Sequence, residues 1–113
     1  MVLALVDDLM FRSKIKSAAT QAGVAVSFAG SSAAALTAMR AAPPSLLILD
    51  LNNPRTDPLG TVAAMKNDPA LAPVRTIGFV SHVDTAAIEA ARTAGVDEVL
   101  ARSAFTMRLA QAA

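Results

Sequence analysis

Cysteine is absent from the chain, and with it go disulfides, thiolate nucleophiles and Cys-based zinc sites. One histidine, His82, has no second imidazole or thiol to join in a metal site, and its simplest reading is a loop residue. An excess of either charge is also missing. Ten Lys and Arg face nine Asp and Glu, for a formal net charge of +1. With no long run of like charges, that balance gives no electrostatic case for nucleic acid or an anionic membrane surface. Long apolar runs are lacking as well. The start, Met1 to Val6, is apolar but then meets Asp7 and Asp8. A secretory leader needs a basic start and a longer apolar stretch, and a membrane span needs about 20 apolar residues. The expectation is a cytoplasmic protein without membrane contact, in keeping with a reducing compartment.

What is present is a chain of 113 residues that is 54% hydrophobic, much of it Ala. The length suits a single domain over residues 1–113 with a real core. Ala favours helices and adds little buried area, so helices packed closely on a sheet are expected. Five short apolar runs punctuate the sequence: Val2–Val6, Val24–Phe28, Ser45–Leu51, Val74–Val80 and Asp97–Ala101. The first, third and fourth are nearly continuous, as in strands covered on both faces. The other two are more mixed and suit sheet edges.

Helical patterns lie between them. Phe11, Ile15, Ala18, Ala19 and Ala22 follow helical spacing, with Gly23 placed to cap the end. Ser31 or Ser32 can start a second helix that turns Leu36 and Met39 inward and stops at Pro43-Pro44. A third runs from about Leu59 to Lys66. Asp84 can cap a fourth, with Ile88, Ala91 and Ala94 facing in and Gly95 closing it. Ser103 can open a fifth that holds Phe105 and Leu109 on one face as core residues.

This βα alternation predicts a flavodoxin-like (βα)5 fold, a doubly wound parallel sheet with strand order 2-1-3-4-5. Ligands of such sheets bind where the winding reverses, at the carboxyl ends of the first and third strands. Asp7 and Asp8 leave the first strand there, and Asp50 ends the third, followed by Leu51-Asn52-Asn53-Pro54. Ser81 and His82 leave the fourth, Arg102 and Ser103 the fifth.

Clustered carboxylates repel one another, and a bound divalent cation resolves the conflict. Oxygen ligands in a partly hydrated shell suit Mg²⁺, with the backbone carbonyl of Asn52 as a further donor. A metal beside Asp50 would prepare its carboxylate to attack phosphorus, giving an aspartyl phosphate. Ser81 could donate a hydrogen bond to the transferred group, and Arg102 could pair with it.

Val6-Asp7-Asp8, the Leu47-Ile48-Leu49-Asp50-Leu51 run with Pro54 beyond it, Ser81, and the Asp97–Arg102 segment together resemble the receiver domain of bacterial response regulators, over essentially the whole chain. The resemblance implies that Asp50 is the phosphoacceptor, that Asp7, Asp8 and Asp50 hold Mg²⁺, and that Ser81 is the switch hydroxyl. It implies a phosphorylated histidine, on a histidine kinase or phosphotransfer protein, as donor. A downstream protein effector, or a second copy of the chain in a homodimer, is expected on the face made by the fourth helix, fifth strand and fifth helix. Because the sequence ends at Ala113, a stand-alone receiver or a fragment of a longer regulator is expected.

Several positions depart from the family pattern. Arg102 stands for the usual lysine, Ser103 for the proline after it, and Val99 for the aromatic switch residue. Without any Tyr, the coupled hydroxyl–aromatic switch cannot work in its usual form. Asn53 replaces an apolar residue before Pro54, and Asp57-Pro58 stands where Asp-Gly is common. These changes support an alternative, a pseudo-receiver that binds proteins without taking phosphate. Plainer readings stand beside the chemical ones: Asp8 as a helix cap, Ser81 as a turn hydroxyl, and Arg102 as a surface or capping cation. Arg12, Lys14 and Lys16 read as a solvated helix face. Two other classes rank low. A flavodoxin needs a Ser/Thr/Gly-rich first loop, and Asp7-Asp8 would repel its phosphate. A haloacid-dehalogenase-like phosphatase needs an acid where Asn52 stands.

Overall fold

The computed structural model of the chain describes residues 1–80 and 84–104. The inner strands are β1 (Val2–Leu5), β3 (Leu46–Asp50) and β4 (Arg75–Val80), and the edges are β2 (Val26–Ala29) and β5 (Glu98–Ala101). They form one parallel sheet in the order β2-β1-β3-β4-β5, which matches the flavodoxin-like expectation. The continuous apolar runs did mark the inner strands. Every residue of β1 and β3 is buried, as is all of β4 except Arg75. The mixed runs lie at the edges and are only partly buried.

Four helices are described: α1 (Leu9–Ala22), α2 (Ser32–Ala41), α3 (Pro58–Lys66) and α4 (Thr85–Ala94). Strand residues alternate between two faces. Val2, Ala4, Ile48, Ile77 and Phe79 pack with Phe11, Ile15, Ala18 and Ala19 of α1. Leu3, Leu5, Leu47 and Leu49 pack with Met39 of α2, Val62 and Met65 of α3, and Ala91 of α4. The sheet is thus covered on both sides, as a parallel sheet requires.

Element ends differ from the sequence reading for local reasons. Val24 was expected to open the second strand, but its N–H donates to Ala19 O at 2.8 Å and closes α1. Gly23 makes that closure possible at φ 71°, where a side chain would be strained. Strand pairing starts only at Val26, opposite Val2. Of the Ser pair, Ser31 is the cap of α2, accepting from Ala34 N at 3.2 Å. Helix α3 starts at Pro58, one residue before the predicted Leu59, because Asp57 caps it at φ 48° and proline suits a first helical position. Asp84 caps α4 as expected, accepting from Ala87 N at 3.1 Å. Of the inward positions predicted there, Ala91 is buried while Ile88 and Ala94 are half-buried. Ser103 lies in a 3-10 turn, Arg102–Ala104. The predicted fifth helix with Phe105 and Leu109 lies outside the described residues.

Candidate functional site

Asp50 ends β3 in the middle of the sheet, opposite Phe79 of β4, and is only 2% exposed. A buried carboxylate needs partners. Its Oδ1 accepts from the Asn52 backbone N–H at 3.2 Å, and its Oδ2 accepts from Arg102 Nη2 at 2.7 Å. The first bond follows from a tight turn, in which Asn53 N donates back to the Asp50 carbonyl at 3.3 Å. The second crosses from the turn that follows β5. Sheet order places that turn on the same edge as Asp50.

Arg102 is held from below. Its guanidinium lies 4.1 Å from the centre of the Phe11 ring, and Phe11 meets Phe79 edge-on with centroids 6.3 Å apart. A planar guanidinium can lie on a ring and still reach sideways to a carboxylate, which an ammonium does less well. Arg102 Nε is buried and has no hydrogen-bond partner among the described residues.

The other acids are engaged differently. Asp8 caps α1, its Oδ1 accepting from Met10 N at 2.9 Å and Phe11 N at 3.3 Å. That is the plain reading of Asp8, and it also fixes Phe11 beneath Arg102. Asp7 is bridged from the loop after β3. Asn53 Nδ2 donates to Asp7 Oδ1, and Arg55 Nη2 lies 3.4 Å from both carboxylate oxygens. Asn53 Oδ1 in turn accepts from Arg55 N at 3.0 Å and Arg55 Nε at 3.4 Å. An open cleft of about 400 Å³ lies above, lined by Asp8, Asp50, Asn52, Asn53, Arg55 and Arg102.

Sequence reading found Asp7, Asp8, Asp50, Asn52 and Arg102, and the structure brings them to one edge. It missed Arg55 and the bridging role of Asn53, and it read Phe11 as core alone. The substitution of Asn53 for an apolar residue was the available signal. Val99, half-buried, packs on the α2–α4 side of the sheet. Ser81 and His82 lie outside the described residues.

As they stand, no three acidic or imidazole side chains among the described residues form a group able to hold a metal ion. Asp7 is instead bound by Arg55 and Asn53, and Asp50 by Arg102. In kind the donors fit a hard cation. All are oxygens, and Asp8, Asp50 and Asn52 line the same cleft. Among the described residues, no helix is long and apolar enough to cross a membrane.

Comparison with solved structures supports the fold. A response regulator from Chloroflexus aurantiacus is 23% identical, with a TM-score of 0.88 over 97% of this chain and 90% of that one. Vibrio cholerae chemotaxis protein CheY4 is 19% identical, with a TM-score of 0.85 over 97% and 92%. The Mn²⁺-bound form of response regulator Rcp1 is 18% identical, with a TM-score of 0.78 over 97% and 86%. No curated protein matches the sequence. The response regulator receiver domain family matches residues 2–113, and a match over essentially the whole length, with this sheet order and Asp50 at its switch point, shows that the chain belongs to the response regulator receiver domain family.

Proposed function

We propose that this domain accepts a phosphoryl group on Asp50 and passes the signal to a partner protein. Receiver domains serve phosphorelay signalling generally, working between histidine kinases and downstream effectors. The observation that carries the reading here is Asp50 itself: a carboxylate buried at the switch point and paired with one guanidinium at 2.7 Å. An Asp50 oxygen attacks the phosphorus of a phosphohistidine. The new O–P bond forms as the N–P bond breaks, and the imidazole leaves. Arg102 already lies where negative charge would gather, so it can shift from the carboxylate to the phosphoryl oxygens without a long movement. Asn52 N–H holds the second oxygen and fixes the carboxylate's orientation.

Magnesium is the family's usual ion. Asp7, Asp8, Asp50 and the Asn52 carbonyl are the residues that would hold it. When bound it would neutralise the incoming phosphoryl oxygens. Ser81 would contribute a hydroxyl to the same group. The donor would be a histidine kinase or phosphotransfer protein, and the setting the cytoplasm. The effector, or a second copy of the chain, would meet the face that includes α4 and β5.

A second reading is a pseudo-receiver that binds partners without phosphate. The observation favouring it is that Arg102 is stacked on Phe11 as well as paired, while Val99 offers no aromatic switch. Mg²⁺ with beryllofluoride, a phosphoryl mimic, separates the two. Under the first reading the melting temperature rises in the wild type and not in Asp50→Asn, because only the folded site binds the mimic. An unchanged wild type selects the second.

A further inference from the structure

We infer that Arg55 competes with the divalent cation for Asp7, with Asn53 holding it in place, so that the loop after β3 sets the metal affinity of the Asp50 site. The inference rests on the receiver reading for the presence of a cation. Its own ground is the Asp7–Asn53–Arg55 network.

Five contacts among these three residues close that network. Arg55 Nη2 lies 3.4 Å from both oxygens of Asp7. Asn53 Nδ2 donates to one of the same oxygens. Asn53 Oδ1 accepts from the backbone and the side chain of Arg55. The amide therefore touches both members of the ion pair and orients them toward each other.

Burial separates this pair from the one at Asp50. The Arg55 side chain is 77% exposed and that of Asp7 is 24% exposed. An exposed ion pair is weak, so a divalent cation can displace it, and the effect is a tax on affinity rather than a block. After displacement the arginine stays at the rim of the cleft, because Asn53 also holds its backbone N–H. There its charge still opposes a cation and still favours an anion. The sequence places both devices in the short stretch after the phosphoacceptor strand.

Metal titration tests the inference without reference to phosphorylation. Mn²⁺ is the direct probe, followed as free ion by electron paramagnetic resonance, and Mg²⁺ is measured by competition. Arg55→Ala is expected to tighten binding roughly three- to tenfold, the scale of removing one nearby partly solvated charge. Arg55→Lys retains the charge and stays closer to the wild type. Asn53→Ala tightens binding by less than Arg55→Ala. The gap between wild type and Arg55→Ala shrinks at about 1 M salt, where exposed charges are screened. Unchanged or weaker binding in Arg55→Ala overturns the inference, as does the absence of metal binding in both proteins. Acetyl phosphate adducts measured on the same samples keep the two ideas apart. Tighter metal binding without any adduct sinks the phosphoryl reading and supports this one. An Asp50 adduct with equal metal affinity does the reverse.

Discussion

Two arginine–aspartate pairs flank one cleft, and they differ in burial. Arg102–Asp50 joins a side chain that is 30% exposed to one that is 3% exposed, at 2.7 Å. Arg55–Asp7 joins side chains that are 77% and 24% exposed, at 3.4 Å. The residue types are the same and the physical consequences are not. In the first pair Asp50 is almost wholly withdrawn from solvent, so losing its partner is costly. In the second, water replaces the partner easily and salt screens the attraction. The buried pair holds Asp50 in place at the switch point, while the exposed one can be exchanged.

Removing Arg102 should produce the largest effect. Among the described residues, Arg102→Ala leaves the buried Asp50 carboxylate with the Asn52 N–H alone, and it should destabilise the fold by about 3 kcal/mol in denaturant melts. Adding Asp50→Asn should recover much of that loss, since the orphaned charge is then gone. If the two losses simply add, the pair is not coupled and the comparison fails. Phe11→Leu comes next. It keeps apolar bulk beneath Arg102 but removes the ring face, for a loss of about 1 kcal/mol. A smaller loss would show that the ring merely fills space. Arg55→Ala should cost the least, within about 0.5 kcal/mol, and the difference should vanish in high salt. An Arg55→Ala loss as large as that of Arg102→Ala would erase the distinction between the pairs.

Gly78 offers a smaller check on the same site. A Cβ there would meet Leu51 Cδ1 at 2.5 Å, beside the residue that follows Asp50. Gly78→Ala should therefore shift the turn after β3, read as changed amide resonances at Asn52 and Asn53, with a stability loss of about 1 kcal/mol.

Much of this organisation was legible in the sequence. Leu46–Leu49 and Ile77–Val80 carry no polar side chain because both faces of their sheet are covered, and that continuity identifies inner strands. Once the strands are placed, the switch-point rule brings Asp7, Asp8, Asp50 and Arg102 to one edge. What sequence patterns miss is which charge meets which. Asn53 reaches Asp7 across 46 residues of chain, and no local spacing encodes that contact. Phe11 follows the helical core pattern whether or not a guanidinium rests on it. Val24 belongs to an apolar run, yet its N–H completes the end of α1, so burial alone misplaced the start of β2. Asp8 shows that two readings can share a residue, since the acid that caps a helix also lines the cleft.

The central claim is that Asp50 takes the phosphoryl group, and intact-mass measurement after incubation with acetyl phosphate and Mg²⁺ tests it most directly. A single phosphoryl adduct is expected on the wild type and is expected to be missing from Asp50→Asn. A wild type that acquires no adduct, or an Asp50→Asn variant that still does, would contradict it.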